Sequence, residues 1–211
     1  IVTAVITLFL VSLLIFTAFG SDHMVLSFIF FNLGIAAIIA AVKYTVGANA
    51  YGYKAMGDLF VFLFFGIIGV VGCYFLFSKS LGNHVFFLAI AIGCMSTAVL
   101  NLNNMRDLQN DADCGKKTFA VFLGAQKAKF YHLFIVSSAI VLICIFQYEL
   151  NILSKLFNAL FVLNSIGLFI HLVLVFKISN PVDFDKYLKI LALHAFVFSL
   201  LCSFYFFKII G

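Results

Sequence analysis

The fold class this sequence predicts is an all-α, polytopic membrane bundle, and three observations predict it. Apolar residues make up 65% of the 211 and charged residues only 10%, where a soluble domain carries about a quarter charged residues. The apolar residues are gathered in blocks: "VFFLAIAIGCMSTAVL" (85–100) and "FYHLFIVSSAIVLICIF" (130–146) contain no Asp, Glu, Lys or Arg. Between the blocks, connections poor and rich in positive charge alternate, as they do when a chain crosses a bilayer repeatedly.

A helix crossing the hydrocarbon core needs about 20 mostly apolar residues. Seven segments qualify, at 2–19, 24–42, 58–77, 84–102, 130–148, 156–177 and 188–208. The first begins Ile-Val-Thr and has neither a basic leading region nor a small-residue cleavage site, so it does not read as a signal peptide. The fourth is expected to continue as helix into the polar stretch after residue 102, with Gly115 as its stop. Ahead of the seventh, "KISNPVDFDKYLK" (177–189) reads as a turn between helices because of its Asn-Pro pair, and no chemistry is expected of Asp183 or Asp185. The whole of 1–211 reads as one integral-membrane domain, with polar loops at about 43–57, 103–129 and 178–187.

Those three loops and the residues flanking them carry ten of the thirteen Lys and Arg residues. Only Lys79, Lys155 and Lys208 lie on the other side. The positive-inside rule therefore turns the long loops toward the cytoplasm, and the net charge of +5 calls for no nucleic acid as partner. Six of the eight acids (Asp58, Asp107, Asp111, Asp113, Asp183, Asp185) share that face, although the rule is indifferent to acids. Chemistry is expected there. The five cysteines form no CxxC pair and four lie in apolar runs, so neither a disulfide framework nor a zinc site is expected. The 29 Phe and 8 Tyr read first as lipid-facing packing, and second as aromatic walls for a cationic or isoprenoid species.

Residues 101–118, "NLNNMRDLQNDADCGKKT", are unlike the rest of the chain. On one helix, Asn103, Asp107 and Asp111 fall at i, i+4 and i+8 and share a face. Carboxylates one turn apart repel, and a cation between them relieves that repulsion. Oxygen-only ligation suits Mg²⁺, which takes one or two carboxylates and completes its shell with water and substrate phosphate. Arg106 offers phosphate a bidentate fork, and Lys116 and Lys117 offer point charges. An EF-hand fails, since its fifth and twelfth positions from Asp111 would be Gly115 and Phe122. The plainer reading is a solvated helix cap, which leaves the register of the acids unexplained; Asp113 does read as a solvated surface acid. A metal–diphosphate site beside a bilayer implies a lipid diphosphate.

"NNMRDLQNDADCGKKTFAVFLG" (103–124) resembles the second aspartate-rich motif of the UbiA superfamily of intramembrane prenyltransferases. "YTVGANAYGYKAMGDLFVFLFFGIIGVVG" (44–72) is similar to the preceding loop and helix of its 1,4-dihydroxy-2-naphthoate polyprenyltransferase branch. The resemblance implies nine helices around a central cavity, with two aspartate-rich motifs facing each other across Mg²⁺ and a polyprenyl diphosphate. It also implies transfer of the polyprenyl chain to 1,4-dihydroxy-2-naphthoate, giving demethylmenaquinone for menaquinone synthesis, at the inner membrane of a bacterium. Asp107 and Asp111 would hold Mg²⁺. Arg106, Lys116 and Lys117 would hold the diphosphate, with Asn103 and Asn104 as polar contacts. Tyr51, Lys54 and Asp58 would belong to a lid loop, although Lys54 and Asp58 at i, i+4 are as readily a simple ion pair. The sequence departs from the family in lacking a first motif of the N-x-x-x-D-x-x-x-D kind and in having seven spans. The expectation is that two helices and that motif precede Ile1, and that the fragment alone is nearly inactive.

Two other readings remain. A transporter would place polar breaks near the bilayer midplane, whereas these spans are uninterrupted. A related prenyltransferase acting on 4-hydroxybenzoate shares the metal logic. His171 and His194 lie within spans, where hydrogen bonding between helices is the expected role, and His132 is expected at the start of its helix.

Overall fold

The computed structural model describes residues 2–47, 50–150 and 154–210. Two positions of the first polar loop, 48 and 49, lie outside the described residues. Among the described residues there is no β-strand, and seven helical spans are long and apolar enough to cross a membrane. The molecule is an all-α polytopic bundle, as its composition predicts.

Helices α1 (Val2–Phe19) and α2 (Met24–Thr45) pack on each other. The third span is composite: α3 (Gly57–Val61), a π-helical stretch (Phe62–Val71) and α4 (Gly72–Ser78) follow without a break. The fourth span is α5 (Asn83–Arg106), succeeded by the short α6 (Leu108–Asp113) and α7 (Phe119–Leu123). Then come α8 (Ala125–Glu149), α9 (Lys155–Phe176), a 3₁₀ turn (Pro181–Asp183) and α10 (Phe184–Ile210). Several helices outrun the apolar segments that announced them: α8 starts at Ala125 rather than 130, and α10 at Phe184 rather than 188. Hydropathy marks the bilayer, whereas the backbone ladder continues until a residue such as Gly124 (φ +78°) interrupts it.

The core is built around α5, which contacts the π-helical stretch, α8 and α10; α9 closes against α8 and α10. Buried Ala89, Ala91, Gly93 and Ala98 keep the α5 surface shallow, and small residues let helix backbones approach in a membrane. The closest approach is to the third span. A Cβ on Gly66 would stand 2.6 Å from the Gly93 Cα, and one on Gly93 would stand 2.9 Å from the Phe62 ring. By contrast α2 has no buried residue, and Val5, Phe9, Phe28, Phe134 and Phe169 are all well exposed. In a bilayer such side chains meet lipid, which is as apolar as they are.

Polar groups inside the bundle are joined between helices. Nε2 of His132 and Nε2 of His171 are 3.2 Å apart between α8 and α9, both rings buried. His194 on α10 meets the Asn164 Oδ1 on α9 at 2.8 Å and packs where a Gly167 Cβ would be. Chain reversals bring the C-terminal ends of α2, α5 and α9 and the starts of α3, α8 and α10 to one end of the bundle.

Candidate active site

At that end the last turns of α5 carry Asn101, Asn103, Asn104 and Arg106. Asn101 is buried and donates from Nδ2 to the Ala128 carbonyl at 3.1 Å, fixing α5 against α8. Asn104 is buried as well. The helix does not run unbroken to residue 113. At Asp107 (φ −95°, ψ 10°) it bends into α6, although the Asp107 N–H still reaches the Asn103 carbonyl and the Asp111 N–H the Asp107 carbonyl. The expectation of one continuous face through Asn103, Asp107 and Asp111 is corrected accordingly. The backbone ladder is kept, but the bend gives the two acids different surroundings: the Asp111 side chain is 8% exposed and that of Asp107 35%.

Each acid has its own cation. Arg106 donates from Nε and Nη2 to both Asp107 oxygens at 2.8 Å, from Nη2 to the Asn103 Oδ1 and from Nη1 to the Asp185 Oδ1. This charged fork holds the Asp107 carboxyl below its usual range. Lys116 donates to both Asp111 oxygens at 3.1 and 3.2 Å. It gets there because α6 ends in a left-handed turn at Gly115 (φ +71°), with the Lys116 N–H on the Asp111 carbonyl and the Gly115 N–H on that of Ala112. That is the Schellman closure, and it sends the chain back over the helix it has just left. Gly115 is thus the stop that its type predicts.

Lys117 takes a different part from Lys116. Its backbone bridges the first polar loop: its carbonyl accepts from the Ala55 N–H at 2.6 Å and its N–H donates to the Tyr53 carbonyl at 3.3 Å, so that Lys54 and Lys117 are paired. The loop of Tyr51, Lys54 and Asp58 is therefore fastened to the aspartate-rich loop by main chain. Tyr51 is held too. Its hydroxyl donates to the Ala40 carbonyl on α2 at 2.7 Å, and its ring stacks on Phe60 with centroids 3.9 Å apart. Beside it runs an apolar cavity of about 670 Å³ between α2 and the third span, lined by Tyr44, Tyr51, Phe60, Phe64 and Phe65 among others. The Tyr44 phenol, one wall of that cavity, stands within electrostatic reach of Lys116, Asp58 and Asp111.

Two sequence expectations change here. Lys54 and Asp58 do not form an ion pair: Asp58 is buried, and neither of its carboxylate oxygens has a hydrogen-bond partner. Asp185, set aside as part of a simple turn, is the second anion on Arg106 and also pairs with Lys189. No sequence pattern could have found that contact across 79 positions. The one available signal was that its loop shares a membrane face with Arg106. Asp183 has no such role in the cluster.

Among the described residues no three His, Cys, Asp or Glu side chains gather into a cage. Asp107 and Asp111 nonetheless fit Mg²⁺ as a substrate-borne ion. They supply two hard carboxylates, the number Mg²⁺ takes from protein when phosphate oxygens and water complete its shell. Arg106 and Lys116 compensate them here, and both are cations that a diphosphate would attract in turn.

A model of the UbiA prenyltransferase family matches residues 1–206. A 1,4-dihydroxy-2-naphthoate octaprenyltransferase of Haemophilus influenzae is 39% identical over 176 residues, covering 83% of this chain and 56% of that protein. The protein of the same name from Escherichia coli is 40% identical over 134 residues, 64% of this chain and 43% of the relative. The human UbiA prenyltransferase domain-containing protein 1 is 32% identical over 78 residues, 37% of this chain and 23% of its own length. The chain thus spans about half the length of the bacterial relatives it matches. No solved structure matches it.

Proposed function

The chain belongs to the UbiA prenyltransferase family, and from that premise we propose that it moves a polyprenyl group from polyprenyl diphosphate to 1,4-dihydroxy-2-naphthoate. The product is demethylmenaquinone, a precursor of menaquinone. The observation that carries this reading is a juxtaposition: of two acid–cation pairs on one loop region, the Asp111–Lys116 pair lies within electrostatic reach of Tyr44, which lines an aromatic apolar cavity. A lipid diphosphate has that same division, a polyanionic head on a hydrocarbon tail. The naphthoate as acceptor is supported by the names of the two bacterial relatives.

In this mechanism Arg106 and Lys116 turn from their acids toward the diphosphate, Arg106 as a planar fork and Lys116 as a point charge. Lys117 adds a donor on the loop, and Asn103 and Asn104 add theirs from the last turns of α5. Asp107 and Asp111 would hold Mg²⁺, which when bound would neutralise charge on the departing diphosphate. Fixed cations aimed at charge that grows in the transition state stabilise it more than the ground state. Tyr44, Tyr51, Phe60 and Phe64 hold the first isoprene units and exclude water, which protects an allylic carbon that becomes cationic. The loop fastened at Lys54 and Lys117 covers the head group. On this reading the enzyme is Mg²⁺-dependent and sits in the bacterial inner membrane, and the excess of Lys and Arg on these loops supports a cytoplasmic orientation for them.

The test uses the full-length gene product in membranes, with polyprenyl diphosphate, Mg²⁺ and the naphthoate. Asp107→Asn and Asp111→Asn are each expected to lower turnover by about a hundredfold or more and to raise the Mg²⁺ concentration needed for half-maximal rate. Undiminished turnover in Asp107→Asn refutes the assignment. Product from 4-hydroxybenzoate but not from the naphthoate moves the acceptor and leaves the diphosphate site standing.

A further inference from the structure

Asp58 is the acid that the diphosphate chemistry leaves unused. It lies on α3 at the start of the third span, 6% exposed, with neither Oδ1 nor Oδ2 hydrogen-bonded. Burying a carboxylate is among the costliest arrangements a protein adopts, and the Tyr131 hydroxyl beside it leaves most of its acceptor capacity unused. Helices from three directions enclose it. Thr97 on α5 donates to its backbone carbonyl at 3.4 Å, which fixes the main chain and leaves the side chain free. The Tyr131 hydroxyl on α8 stands within reach of the carboxylate, and the Tyr44 phenol on α2 feels both Asp58 and the Asp111–Lys116 pair. Tyr44, which lines the aromatic cavity, thus links Asp58 both to that cavity and to the Asp111–Lys116 pair.

The chemistry of the surroundings selects the missing partner. The other acids of this face, Asp107 and Asp111, are engaged by Arg106 and Lys116, so Asp58 would face a divalent ion as a single carboxylate. Tyr131 and Tyr44 bring phenols, which flank an aromatic hydroxyl well and a dehydrated cation poorly. A carboxylate is acceptor-only when ionised, so the complementary group is an O–H.

Resting on the aromatic acceptor proposed above, we propose that Asp58 is a catalytic residue that receives the ring hydroxyl of the acceptor and takes its proton as the ring attacks. The O–H bond breaks, its proton goes to Asp58 Oδ, and the electron pair moves into the ring. The ring carbon bearing the carboxylate forms the new C–C bond to the allylic carbon, while the allylic C–O bond breaks and its pair leaves with the diphosphate. The carboxylate then departs as carbon dioxide. Its bonding pair restores the aromatic ring through the oxygen, which takes the proton back from Asp58. No proton or electron is left over.

The experiment compares wild type, Asp58→Asn and Asp58→Glu in the full-length membrane protein. It uses the naphthoate and a ring-fluorinated naphthoate whose hydroxyl is more acidic. Asp58→Asn is expected to lose about a hundredfold or more in kcat with the KM for polyprenyl diphosphate unchanged. Its thermal midpoint should be equal or higher, since an unpartnered charge has gone. The deficit is expected to shrink on the fluorinated acceptor, which needs less help to ionise, and Asp58→Glu is expected to recover part of the rate. Turnover by Asp58→Asn close to wild type, an equal deficit on both acceptors, or a lowered thermal midpoint each overturns the proposal. A wild type that prenylates a different hydroxylated aromatic acid refutes the acceptor proposed above instead, and the same variants on that acid then decide the role of Asp58.

Discussion

Gly66→Ala adds one methyl group where the third span crosses α5. The new Cβ would lie 2.6 Å from the Gly93 Cα, 2.7 Å from the Ala89 carbonyl oxygen and 3.0 Å from the Gly93 nitrogen. Carbon atoms rest at roughly 3.5–4.0 Å, so the helices must separate by about 1 Å. All three opposing atoms are backbone, so no side chain can rotate aside. Overpacking costs typically about 1–3 kcal/mol, and this crossing belongs at the upper end. Alanine returns about 1 kcal/mol through its higher helix propensity, leaving a net loss of about 2 kcal/mol. On the scale of soluble proteins this size, that is a fall of roughly 4–8 °C in Tm, measured by thermal unfolding in detergent. Gly72→Ala is the control: its Cβ would meet only the Phe30 ring, at 3.8 Å, an ordinary contact. It is expected to be neutral or slightly stabilising. Equal Tm values for the two variants would refute the claim that this crossing depends on the absence of a side chain.

Asp185→Asn removes the second anion from Arg106. Both side chains are partly exposed, so solvent screening keeps the loss of stability small, while the KM for polyprenyl diphosphate rises severalfold because the guanidinium loses its orientation. Asp183→Asn, on the same turn, should leave that KM unchanged. For Asp107 the sign follows from its depressed folded-state pKa. The ion pair contributes fully above the unfolded value, near pH 4, and its contribution is lost as pH falls through the lower folded value. With 35% of the side chain exposed the effect is screened and small. Arg106→Gln is expected to flatten this acid-side loss, because the folded and unfolded pKa values of Asp107 then nearly coincide, read from Tm against pH.

Most of the fold was legible because hydropathy and length are local. Each apolar segment states its own need for a bilayer, and all seven became helices. The ends were less legible, since α8 begins five positions before its apolar run and nothing in hydropathy marks a helix that continues into water. The site was half legible. Asp107, Asp111, Arg106 and Lys116 lie close together in sequence, and the structure keeps them close, with Gly115 making the turn. The bend at Asp107 was hidden, because the i, i+4 spacing is satisfied whether or not the helix tilts. Lys117 looked interchangeable with Lys116, yet its backbone is spent on the Lys54 loop while the Lys116 side chain is on Asp111.

By itself the sequence determined the all-α class, the number of spans present, the gathering of charge at one end and the aspartate-rich stretch. These depend only on residue type and spacing along one helix. Tertiary structure alone decided which charge meets which: that Arg106 is shared by Asp107 and Asp185, that Lys117 joins the two polar loops, and that Asp58 is buried beside Tyr131 with no cation on it among the described residues. The reason is that electrostatic and hydrogen-bonding partnerships fall off over a few ångströms, and distances of that order between helices far apart in the chain exist only once the bundle has packed.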